Sequence, residues 1–210
     1  MQKKVADEQN AKIRVAIFGS GRGTTARALL EYAREFDASY QVVLVVTNRA
    51  DAGILGVAES FGVSAVVLAP RDYSDPSMFS AQMLQILETK HVECIALAGY
   101  LLKVPAAVVE RFQGRIVNTH PALLPQFGGR GMYGIHVHRA VLAAGEQCTG
   151  ATIHLVTDEY DAGPILEQVR VAVFPHDSPE SLMARVQTAE RWLYPRALDR
   201  LCHQLAYSRS

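Results

Sequence analysis

The sequence predicts an α/β fold: a mainly parallel central sheet flanked by helices, with an antiparallel extension toward the carboxyl end. Three features carry this: short β-branched apolar runs, helix-like segments between them, and a change of rhythm after Pro125. The apolar runs lie at residues 13–18, 41–46, 65–68 and 94–98, with a further run at 116–120 that ends at a proline. Unbroken apolarity implies strands covered on both faces. Residues 24–36, 54–61, 77–90 and 106–112 are helix-like, and Ala28, Leu29 and Tyr32 form an apolar stripe on the first. Such alternation implies right-handed crossovers between parallel strands. Beyond Pro125 come a glycine-rich loop, a helix over about 137–144, and strand candidates at 150–156 and 165–174. In the last, Gln168, Arg170 and Ala172 alternate with Val169, Val171 and Val173, so one face should be less buried. Ser178 as N-cap and Pro179 at the first helical position open a final helix running to about residue 204.

A chain of 210 residues is long enough for one sizeable core, so residues 13–210 are expected to form a single domain behind a frayed tail at 1–12. Formal charge is balanced, with 21 basic and 21 acidic residues, which removes any global attraction to nucleic acid or an anionic membrane surface. Any anion must therefore be bound locally. The amino-terminal basic residues have no apolar run behind them, so neither a signal peptide nor a membrane span is expected. Cys94, Cys148 and Cys202 are far apart and lack C-x-x-C spacing, which argues against a disulfide framework or a structural zinc site and for a reducing, cytoplasmic setting. The chain is expected to work as a monomer or homodimer.

Gly19-Ser20-Gly21-Arg22-Gly23-Thr24-Thr25 follows the first strand and opens the first helix, which gives the sheet its Rossmann-like character. Backbone N–H groups and the positive end of a helix converge there, so a phosphate fits. Gly21 to Ala26 also satisfies the Ala-ending dinucleotide fingerprint. However, Thr47-Asn48-Arg49 stands where a ribose-binding acid should close the second strand, and the Lys-Ser/Thr of a P-loop is missing. Phosphomonoester binding, dinucleotide binding and a mere tight turn remain open at this point.

In a strand over 116–120, residues two apart point to one face, so Asn118 and His120 aim together into one space just before Pro121 ends the ladder. Such a pair can hold an oxyanion and move a proton, the equipment of acyl transfer, or it can be a satisfied polar strand end. Asp158-Glu159-Tyr160-Asp161-Ala162-Gly163-Pro164 is either a solvated hairpin loop or the source of a carboxylate for His120. In the second case Asp161 is best placed, and it should raise the His120 pKa and make it a proton donor. His136 and His138 fall on different sides of a helix start, which suits substrate lining or capping better than metal ligation. His91, His154, His176 and His203 are taken as structural or surface residues. No metal is expected.

Gly21-Arg22-Gly23-Thr24-Thr25, Leu97-Ala98-Gly99-Tyr100, Asn118-Thr119-His120-Pro121-Ala122-Leu123-Leu124-Pro125, Thr157-Asp158-Glu159-Tyr160-Asp161-Ala162-Gly163-Pro164 and Arg185-Val186-Gln187-Thr188-Ala189-Glu190 occur in the order seen in folate-dependent formyltransferases. The chain resembles that family over nearly its whole length after the tail. The resemblance implies transfer of a formyl group from 10-formyltetrahydrofolate to the amine of 5'-phosphoribosylglycinamide in purine synthesis, by direct attack. A relative that formylates another amine, or that hydrolyses formyltetrahydrofolate, is the alternative. It further implies that Gly23, Thr24 and Thr25 hold the substrate phosphate, that Gln187 and Glu190 reach the same substrate, and that Asn118, His120 and Asp161 serve the chemistry. Leu101, Leu102, Lys103 and Val104 would line the pterin pocket, with Asn118 beside it and the backbone from Asp158 to Asp161 around the heterocycle. Two features depart from the family pattern. Pro76 and Leu102 stand where many relatives carry arginines, and the connection at 126–135 is longer than usual.

Overall fold

The computed structural model describes residues 12–209, so the expected tail lies outside the described residues except for Lys12. Seven strands form one sheet in the order β3-β2-β1-β4-β5-β6-β7. They are β1 (Ile13–Phe18), β2 (Tyr40–Thr47), β3 (Ala65–Val67), β4 (Cys94–Leu97), β5 (Ile116–His120), β6 (Cys148–Leu155) and β7 (Ile165–Ala172). The first five strands run parallel, and β6 and β7 are antiparallel to their neighbours. The helices are α1 (Thr24–Glu35), α2 (Ile54–Ser60), α3 (Pro76–Thr89), α4 (Ala106–Arg111), α5 (Ile135–Ala143) and α6 (Pro179–Tyr207), with a short 3-10 turn at Pro70–Asp72.

The two sheet faces bury different halves of the apolar sequence. Ile13, Val15 and Ile17 of β1 pack with Leu29 of α1, Ile54 of α2 and Leu198 of α6, while Ala16 and Phe18 pack with Met83 of α3 and Val108 of α4. Period-two alternation therefore feeds both layers, as a covered parallel strand requires. The expected coverage fails at β3, whose Ala65 and Val67 are exposed: it is a three-residue edge strand with a neighbour on one side only. On β7, Gln168, Arg170 and Ala172 are exposed as the alternation implied.

The final helix starts where Ser178 and Pro179 placed it. The Ser178 and Ser181 side chains each cap the other's backbone N–H, and Pro occupies the first turn. It continues to Tyr207, past residue 204 and through Pro195. Burial of Leu193, Tyr194, Ala197, Leu198 and Leu201 against the sheet outweighs the amide that proline lacks. Among the described residues no helix is long and apolar enough to cross a membrane.

The chain leaves β1 toward β2 and β3, then returns to the other side of β1 to lay down β4. Connections diverge at that point, and a crevice opens at the carboxyl ends of β1 and β4. Ser20 ties its rim together. Its N–H donates to the Gly99 carbonyl, its hydroxyl bonds the Asn48 side chain at 2.6 Å, and the same oxygen accepts from the Leu101 N–H.

Candidate active site

Two cavities that share lining residues occupy this crevice. The larger, of about 440 Å³, reaches from Thr25 and Glu190 past Asn118 and His120 to Met132 and Tyr133. The narrower slot, of about 90 Å³, is lined by Leu102, Lys103, Val104, Val109 and Val156 and by the loop over residues 157–161. Asn118 and Asp161 line both.

Asn118 and His120 do share a space. The antiparallel register sets Asn118 opposite His154 and His120 opposite Thr152, and a third side chain enters from the acidic loop. His120 Nδ1 lies 3.4 Å from Asp161 Oδ2, and His154 Nε2 lies 3.5 Å from Asp161 Oδ1. Asn118 Nδ2 is 3.2 Å from His154 Nε2. His154 Nδ1 faces the Leu155 carbonyl at 2.9 Å, and its Nε2 faces both the Asn118 amide and the Asp161 carboxylate. One amide N–H is thereby turned to the ring and the other is left for a ligand.

His154 is the residue that the sequence reading missed: it is not a structural or surface histidine but a buried member of this cluster. Its place follows from the β5–β6 register, which pairs residues 36 positions apart.

A second correction concerns charge. Burial pushes the His120 imidazole below its usual range, and the Asp161 carboxylate and the Phe127 carbonyl oppose that shift without reversing it. Asp161 does raise the imidazole pKa as expected, but burial lowers it by more, which favours the neutral ring. Asp161 is held below the ordinary carboxylate range. Burial alone would raise it, but contacts with His154, the Gly129 N–H and the His120 imidazole together outweigh burial.

The loop after β5 is fixed from behind by Thr152, whose hydroxyl donates to the Ala122 carbonyl and accepts from Leu124 N–H and from Gln168 Nε2. The Leu124–Pro125 peptide bond is cis. Further along, the Phe127 carbonyl meets His120 Nε2 at 2.8 Å.

At the other end of the larger cavity, Gly23 caps α1 with φ of +80° and no side chain, so the first-turn N–H groups have no side-chain partner. Any Cβ on Gly23 would sit 2.8 Å from Ile54 Cα. Thr24 is exposed, and Thr25 turns inward and donates its hydroxyl to Glu190 Oε1 at 2.8 Å. Burial raises the Glu190 pKa, partly offset by that hydrogen bond. Gln187 lies one turn before Glu190 on α6, half-buried and outside the cavity lining.

Of the segment after β4, Leu102, Lys103 and Val104 line the slot, as does Asp158, whereas Leu101 is exposed and borders only the larger cavity. His138 lines neither of these two cavities and does not cap α5. It is buried, its Nδ1 has no partner, and burial pushes its pKa down to about 4, with His120 a smaller influence. His136 is exposed and packs against Tyr133.

Comparison with known proteins places this geometry. Residues 13–198 match the family described as formyl transferase. The chain is 40% identical over 193 residues to the chloroplastic phosphoribosylglycinamide formyltransferase of Arabidopsis thaliana, covering 91% of this chain and 66% of that protein. It thus spans just under two thirds of the length of that curated relative. The phosphoribosylglycinamide formyltransferase of Escherichia coli K12 is 31% identical over 181 residues, covering 86% of this chain and 83% of that one. The crystal structure of glycinamide ribonucleotide transformylase 1 from Symbiobacterium toebii superposes with a TM-score of 0.86 at 34% identity, covering 92% and 89% of the two chains. With an Asn-x-His pair at the end of β5, an Asp from the β6–β7 loop and a family match over most of its length, the chain belongs to the formyl transferase family.

Proposed function

We propose that the chain transfers a formyl group from 10-formyltetrahydrofolate to the amine of 5'-phosphoribosylglycinamide, a step of de novo purine biosynthesis. The observation that carries this reading is the position of Asn118 and Asp161 on the wall shared by the two cavities. A group passed from one ligand to the other must cross that wall.

The lining of the slot suits a planar heterocycle. Val104, Val109 and Val156 give it apolar faces, and the loop from Asp158 to Asp161 supplies backbone polar groups at its edge. The phosphate of the acceptor sits at the uncapped start of α1, beside Gly23, Thr24 and Thr25, and Glu190 and Gln187 approach the same molecule from α6. The acceptor amine then points toward Asn118.

As the amine adds to the formyl carbon, the carbonyl oxygen becomes an oxyanion, and the free N–H of Asn118 donates to it. The amine nitrogen gives up a proton to neutral His120. The resulting imidazolium is held between Asp161 and the Phe127 carbonyl, both acceptors. When the carbonyl re-forms, the bond to the folate nitrogen breaks and that nitrogen takes the proton from the imidazolium. The products are the formamide and tetrahydrofolate, without an acyl-enzyme. The three cysteines are free, and none pairs with a histidine as an activated nucleophile would.

Release of tetrahydrofolate, followed with and without phosphoribosylglycinamide, tests the reading. Release that depends on the amine supports it. Equal release in water alone would make the protein a hydrolase of the donor.

A further inference from the structure

Residues 126–134 link β5 to α5 by a path that runs along the cavities. Gly131 and Gly134 hold φ of +88° and +55°, values that side chains with a Cβ rarely adopt. The backbone turns on each side of Met132 and Tyr133, and both residues line the larger cavity. At its near end the segment is tied to the catalytic cluster through the Phe127 carbonyl and through the Gly129 N–H, which donates to Asp161 Oδ2 at 2.9 Å. At its far end the His136 N–H donates to the Tyr133 carbonyl at 3.3 Å, and the two rings pack edge to face with centroids 5.5 Å apart.

Tyr133 is thus held in place while 56% exposed. It adds little to the core, and it lines the larger cavity. Met132 and Tyr133 share that cavity with Thr25 and Glu190 and take no part in the slot. The pair therefore belongs to the acceptor side.

We propose that Tyr133 determines acceptor specificity, its ring packing against the ribose of a 5-phosphoribosyl group whose phosphate lies at the start of α1. A ribose offers carbon-bound hydrogens on its faces and hydroxyls at its edge, and tyrosine offers an apolar face with a polar tip. Met132 closes the same wall with an adaptable side chain. This inference rests on the reading of the acceptor as a phosphoribosyl amine.

Calorimetric titration with ribose 5-phosphate and with phosphoribosylglycinamide, on the wild type, Tyr133→Ala and Tyr133→Phe, tests it. Loss of one aromatic contact should weaken both ligands by about tenfold in Tyr133→Ala, while Tyr133→Phe retains most of the affinity. Tetrahydrofolate binding should stay within about twofold of the wild type in both variants. In turnover, the KM for the acceptor rises and that for the formyl donor does not. Unchanged ribose 5-phosphate affinity in a folded Tyr133→Ala, or loss of tetrahydrofolate binding instead, overturns the proposal. If ribose 5-phosphate binds through Tyr133 yet phosphoribosylglycinamide is not formylated, the function reading fails and the ribose contact stands.

Discussion

Asn118 and His154 face each other across the β5–β6 ladder, with the amide nitrogen 3.2 Å from the imidazole Nε2. The imidazole fixes which way the amide points, because its other nitrogen is committed to the Leu155 carbonyl. Asn118→Ala removes the oxyanion donor and should lower kcat by about 10²-fold or more. His154→Phe keeps the bulk but frees the amide to rotate, and it should lower kcat less, by about tenfold, with substrate KM values little changed. Steady-state rates of the two variants and their double mutant check this: once Asn118 is gone, removing His154 should cost less than it does in the wild type.

Asp161→Asn should shift the pH dependence of kcat. His120 acts as a base, so activity is lost as pH falls through its pKa. That pKa already lies below the usual imidazole value, and Asp161 is the largest influence holding it up. Replacing the carboxylate lowers it further, so the acid limb moves to lower pH. A limb that stays put or moves to higher pH would show that His120 is not the titrating base.

His138 should make the protein acid-sensitive. Its folded pKa of about 4 lies below the unfolded value of 6.5, so the unfolded chain binds the proton more readily. Stability is complete above about pH 6.5, declines between 6.5 and 4, and is fully reduced below that. The shift corresponds to as much as about 3 kcal/mol. His138→Phe leaves no buried unpaired Nδ1 and should flatten the decline, measured by urea denaturation between pH 4 and 7.

Gly23→Ala should cost about 2 kcal/mol, since a Cβ there combines left-handed backbone with a contact inside van der Waals distance. Because that residue caps α1, the KM for the acceptor should rise more than the KM for the donor. Denaturation midpoints and steady-state kinetics report the two effects separately.

How legible this was in the sequence varied with how local the determining interaction is. Ile13–Phe18 and Ile116–His120 are bounded by Gly19 and Pro121 and came out residue for residue. The glycine loop, Asn118 and His120 follow from spacing within a few positions. The carboxyl end of α6, Tyr207 against an expected 204, did not, because no glycine or proline after it marks the stop. β3 looked covered because an edge strand carries the same apolar residues as a central one. His154 joins the site through a pairing register, and the His120 pKa is lowered by burial. Neither property has a signature in nearby residues: the charges around His120 give the upward pull of Asp161 but not the larger effect of burial. Leu101 is exposed and borders the larger cavity while Leu102 lines the slot, a division that four consecutive residues do not reveal in the sequence.

The most direct measurement is a single-turnover experiment with enzyme in excess and a donor labelled at the formyl carbon, quenched on the millisecond scale. Label should pass from the donor into phosphoribosylglycinamide with no protein-bound fraction, and Asn118→Ala should slow that transfer about 10²-fold. Label trapped on the protein, or released as free formate, would contradict direct transfer at this site.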